Sequence, residues 1–136
     1  MKNDGFKTSF TVPIFGVKVT LVVARDAVAE LNRHARYFNC TPEEPRGFRA
    51  LTTRAYLGRV GVFFHLDMIN HNDIAHELDH ARDEILEWIG ATPPKPKRVG
   101  PKTREALAEP AAYIRGYLAQ RFYKLFGKHK INLDNP

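Results

Sequence analysis

The sequence predicts an α+β fold, a small and mainly antiparallel sheet with three helices packed on it. Three observations lead there. Runs rich in Val, Ile, Phe and Thr, bounded by turn residues, occupy 9–25 and 48–66. Apolar residues recur at helical spacing from Ile74 to Ile89, behind several cap residues. A further helical repeat lies within Thr103–Phe126.

The length of 136 residues predicts one domain, 1–136. With 43% hydrophobic and 26% charged residues, the chain can bury a core without covalent staples. Cys40 is the only cysteine, which excludes a disulfide scaffold and points to a reducing, cytoplasmic setting. The first residues lack the apolar segment of a signal peptide, and no apolar run is long enough to span a bilayer, so no membrane partner is expected. The net charge of +6 permits a nucleic-acid or acidic partner without requiring one.

Element by element, Ser9–Arg25 reads as one or two strands broken near Pro13 and Gly16. Asp26 can cap a helix from Ala27 to about Tyr37, with Val28, Leu31 and Ala35 on one side. Residues 39–47 form a polar loop. Phe48–Tyr56 and Val60–Leu66 then make a hairpin across Leu57-Gly58-Arg59. Asn70, Asn72 and Asp73 are candidate caps for the helix at 74–89, which Gly90 ends. A stiff, basic, proline-rich loop spans 91–101. The last helix, 103–126, is interrupted or restarted at Pro110, and a polar tail from Gly127 frays.

The chemistry concentrates in His76-Glu77-Leu78-Asp79-His80, an H-E-x-x-H on a predicted helix. Residues four apart share a helix face, so two imidazoles can meet one Zn²⁺. Glu77 is rotated by about 100° from His76 and can deprotonate a water without ligating the metal. Ile74, Leu78, Ala81, Ile85, Trp88 and Ile89 form the core stripe. His76 and His80 fall roughly opposite, with Glu77 and Glu84 beside them.

Catalytic zinc takes three protein ligands and keeps one position open. Glu109 is the candidate third ligand. It lies off the final helix's stripe of Leu107, Ala111, Ile114, Leu118, Phe122 and Leu125, beside the small residues Ala112 and Gly116. Glu105, one turn earlier, is its rival. Tyr113 or Tyr117 could polarise a carbonyl oxygen, and Asp83 and Glu84 could orient the ligands. Cys40 is a weaker ligand candidate in a loop. His65, His71 and His129 lack partners at ligand spacing. Lys95-Pro96-Lys97-Arg98 reads as a solvated loop, so nucleic acid is only weakly supported as a partner.

H-E-x-x-H followed by a glutamate on a later helix resembles the gluzincin branch of the zincin metallopeptidases. More narrowly, with Glu109-Pro110-Ala111-Ala112-Tyr113 as a second signature, residues from about 56 to 120 resemble the short zincin-like proteins of bacteriophages and prophages. The resemblance implies a minimal zincin-like fold, the H-E-x-x-H helix packing against the C-terminal helix. It implies one Zn²⁺ per chain on His76, His80 and Glu109, with Glu77 as general base and acid. It further implies that the strand carrying Val60, Val62 and Phe64 lines the cleft for a peptide or protein substrate, in the host bacterial cytoplasm if the protein is phage-encoded.

Two other readings remain. Asp73, Asp79 and Arg82 are charged where zincin peptidases usually are not, and Asp79 and Arg82 favour a catalytically degenerate binding module of the same fold, contacting protein or nucleic acid. H-E-x-D-H also matches the zinc helix of peptide deformylases, but their other motifs are missing here.

Overall fold

β4 (Arg59–His65) organises the molecule because it is apolar on both sides. Val60, Val62 and Phe64 point to one face and Phe63 to the other, all of them buried. The computed structural model describes residues 4–41, 47–90 and 101–136, with the backbone alone over 101–108. The predicted basic loop at 91–100 and the Glu105 side chain lie outside the described residues.

β4 lies between β2 (Lys18–Ala24), parallel to it, and β3 (Ala50–Thr52), antiparallel to it. β1 (Phe6–Thr11) pairs antiparallel with β2, giving the order β1-β2-β4-β3. Two of the three pairings are antiparallel, as expected, but the sheet is mixed: its central pair is parallel because the chain crosses over between β2 and β4. The β3–β4 hairpin turns at Leu57 and Gly58, both at positive φ (51° and 72°), the pattern of a type I′ turn.

Four helices form where three are predicted. The segment from Ala27 breaks into α1 (Ala27–Arg33) and α2 (Ala35–Phe38) at His34. The His34 N–H is shared between the Glu30 and Leu31 carbonyls, and its φ of −107° leaves the helical region. α3 (His71–Trp88) starts three residues before Ile74, because Asn70 is the cap that forms, its Oδ1 accepting from Asp73 N at 2.8 Å. α4 (Pro101–Lys128) runs unbroken through Pro110.

α3 and α4 cover one sheet face through the larger core, and α1 and α2 cover part of the other. The tail does not fray. Ile131 is buried, Asp134 bridges to Asn70, and the Asn135 side chain donates to Ile69 O at 2.8 Å. Arg49 clamps this corner, pairing with Asp73 at 2.9 Å and donating to Pro136 O at 2.9 Å. Among the described residues no helix is long and apolar enough to cross a membrane.

Candidate metal centre

The α3 core stripe forms at Ile74, Leu78, Ala81 and Ile85, all buried, and this sets where every polar residue of the helix points. Trp88 is the exception in the predicted stripe. It sits at the helix end, 47% exposed, beside the Gly58 turn. His76 and His80 face outward, one turn apart, with Nε2 atoms 2.9 Å from each other and rings nearly perpendicular. Two imidazole nitrogens bound to one tetrahedral zinc at 2.0–2.1 Å would stand about 3.3 Å apart. The pair is within a few tenths of an ångström of that spacing.

Glu77, beside the histidines on the helical wheel, is covered by protein. It is only 3% exposed, because β3 and the segment after it cover this flank of α3. Thr52 Oγ1 donates to the Glu77 backbone carbonyl at 3.3 Å, and Glu84 Oε1 accepts from Ala55 N at 2.8 Å. The Glu77 Oε2 atom is buried without a hydrogen-bond partner. Burial raises the Glu77 pKa above the ordinary glutamate value; His80 and His76 pull it down, and Asp73 adds to the rise.

Donor atoms of His76, Glu77 and His80 lie within 4.8 Å of one another, and among the described residues they form the one such group of three or more. Two imidazoles and a carboxylate suit zinc. The orphaned carboxylate oxygen gives the site an unmet demand for a proton or a cation. These residues fit the metal.

The rest of the predicted site is dispersed. His71 Nδ1 meets Tyr123 Oη at 3.0 Å, and Arg115 Nε donates to Asp79 Oδ1 at 2.8 Å. Eight residues forward on α3 thus match eight residues back on α4, so the helices run antiparallel in step. By that step Ile114 is level with His80, and Glu109 stands level with Ile85, roughly 7.5 Å further along the axis. Because α4 continues through Pro110, no kink restores Glu109 to the histidines. It is exposed and outside the donor group.

Tyr113 and Tyr117 stack on each other, Tyr113 meets Phe15, and Tyr117 meets Phe10 and donates to Thr11 O at 3.4 Å. They lie toward β1, the sheet edge opposite β3, and away from His76 and His80. Asp83 pairs with Arg82 at 2.9 Å and Glu84 tethers Ala55, so neither hydrogen-bonds to a histidine. Val60, Val62 and Phe64 are fully buried, and β4 is paired along both edges. That strand cannot accept a peptide; the sheet edge beside α3 is β3. Cys40 packs on the sheet face opposite α3, in the smaller core.

His65 is structural. Its Nδ1 accepts from Ala27 N at 3.2 Å, so Nε2 carries the proton and donates to Phe48 O at 2.9 Å. Arg115, Thr52 and Arg49 support the α3 region without any sequence signal, since each acts only through tertiary contact.

No protein-family model, curated protein or solved structure matches the chain.

Proposed function

We propose that the protein is a zinc-dependent hydrolase acting on peptide bonds, with His76 and His80 as zinc ligands and Glu77 as general base. The observation that carries this reading is the pair of Nε2 atoms 2.9 Å apart beside the buried Glu77 carboxylate. Zinc, when bound, supplies Lewis acidity that polarises a carbonyl and acidifies water. Glu77 removes a proton from the attacking water and passes it to the departing amine nitrogen, so the carboxylate returns to its starting state. The short edge strand β3, next to α3, is where a substrate peptide would add as a further strand. The resemblance of His76–His80 to the gluzincin motif supports the same chemistry.

Glu77→Gln tests it in a peptide-hydrolysis assay on zinc-loaded protein. The variant should keep zinc and lose roughly 100-fold or more in rate. An equal rate would remove Glu77 from the mechanism.

A second reading, a catalytically degenerate binding module, is favoured by one observation: the described donors stop at His76, Glu77 and His80, with no third ligand besides the base. Its charged residues argue less than the sequence alone suggests, because Asp79 and Arg82 take part in ion pairs around the α3–α4 seam. Zinc binding with no hydrolysis by either the parent or the Glu77→Gln protein would select this reading.

A further inference from the structure

We propose that the groove bounded by Lys7, Lys18 and His34, on the sheet face opposite α3, binds a small phosphate-bearing ligand. α1 and α2 cover only part of this face, and what they leave is a cavity of about 400 Å³, within the range of small-molecule sites.

Its shape follows from the strand register. Lys7 and Ser9 on β1 share a face with Thr20 and Lys18 on β2, with Ser9 directly opposite Thr20. The inner wall is Phe38, which lies over Gly61: a Cβ there would stand 2.8 Å from the Phe38 ring. Glycine at 61 lets the ring seat deeply, so the cavity ends in an apolar wall with polar groups along its sheet side.

The charges are arranged as they would be for an anion. Lys18 is the direct neighbour of Arg59 on parallel β4. Like charges side by side cost stability, and among the described residues neither pairs with a carboxylate. Both lie over the Tyr37 ring instead, Arg59 at 4.2 Å and Lys18 at 6.0 Å. Lys7 donates to His34 Nε2 at 3.1 Å. Burial and Lys7 together hold the His34 pKa below its ordinary value, so this imidazole accepts from the ammonium. Glu30 approaches His34 at 3.8 Å, but Arg33 already engages it at 3.0 Å.

Lys7 and Lys18, four strand positions apart, both line the cavity and give it the positive charge an anion needs. Ser9 Oγ and the buried Thr20 Oγ1 are 2.9 Å apart. One hydroxyl proton serves that bond, and the other is left to donate to an oxyanion. Cations and hydroxyl donors around one cavity select phosphate over a neutral ligand. The site is independent of the metal centre.

The test is a titration of the full-length protein with phenyl phosphate and with inorganic phosphate, followed by backbone amide NMR. Both should saturate with dissociation constants on the order of 1 mM, with shifts confined to Lys7–Ser9, Lys18–Thr20 and His34. The double variant K7Q/K18Q, both side chains being exposed, should keep its circular dichroism spectrum and weaken binding roughly tenfold or more. His76→Ala should leave it unchanged. Shifts that never saturate, or that spread over all the basic residues, would overturn the proposal. So would equal affinity in the double variant, citrate binding tighter than phenyl phosphate, or a ten-residue oligothymidylate binding far tighter while also shifting Arg33 and Arg36, which would mark a nucleic-acid surface.

Discussion

Arg115 on α4 donates to Asp79 on α3 at 2.8 Å, and Arg82 approaches the same carboxylate at 3.5 Å. The bond ties the two helices together in their antiparallel step and gives the charge inside the H-E-x-x-H motif a partner. Side-chain hydrogen bonding from Arg115 holds the Asp79 pKa below the ordinary aspartate value, with the nearby charges of Arg115 and Arg82 adding to it.

A carboxylate whose pKa is lower in the folded state contributes stability above its unfolded pKa, and loses it as pH falls through the folded value. Asp79 is half exposed, so screening keeps the contribution small, about 0.5 kcal/mol as for other exposed pairs. Asp79→Asn should lower stability by that much at pH 7 and low salt. The difference should vanish in 1 M salt or near pH 2 in urea denaturation.

Glu77 titrates with the opposite sign. Its pKa is raised by burial, so its protonated form is favoured in the fold. Stability is fully present below the unfolded glutamate pKa and declines as pH rises through the folded value. Without metal, Glu77→Gln should remove this decline and stabilise the protein at pH 7 by on the order of 1 kcal/mol. Urea midpoints measured with a chelator across pH 4 to 8 check it. A parallel pH profile in the two proteins would show that Glu77 is not the titrating group.

Gly61 is a position where two buried rings leave no room for a methyl group. A Cβ would stand 2.8 Å from both Phe38 and Phe63, rings that are each buried. Gly61→Ala should cost roughly 1–3 kcal/mol by overpacking, whereas Gly116→Ala, with nothing within 4 Å, should not lower stability. Thermal unfolding of the two variants compares them directly.

Local patterns were legible in the sequence and long-range geometry was not. The 3.6-residue repeat placed Ile74, Leu78, Ala81 and Ile85 in the core, and four-residue spacing brought His76 and His80 together. The same wheel put Glu77 beside the histidines but could not show that it is buried, because β3, far away in sequence, is what covers it. Val60–Leu66 misled as a cleft strand, although a run apolar on both faces is the mark of an interior strand. Glu109 looked like a ligand because Ala112 and Gly116 would admit a close helix. The step set by His71 with Tyr123 and by Asp79 with Arg115 instead puts Glu109 level with Ile85. The tail is polar, yet Asn135 and the Arg49 clamp hold it through contacts that no local pattern encodes.

His76 and His80, the two histidines proposed to hold zinc, both lie on α3. Zinc binding by isothermal titration to the parent protein, His76→Ala, His80→Ala, the double histidine variant and Glu109→Ala tests that role most directly. One zinc should bind per chain, with affinity falling at least about tenfold in each single histidine variant, lost in the double, and unchanged in Glu109→Ala. Stoichiometric zinc retained by the double histidine variant, or zinc lost on substituting Glu109, would contradict it.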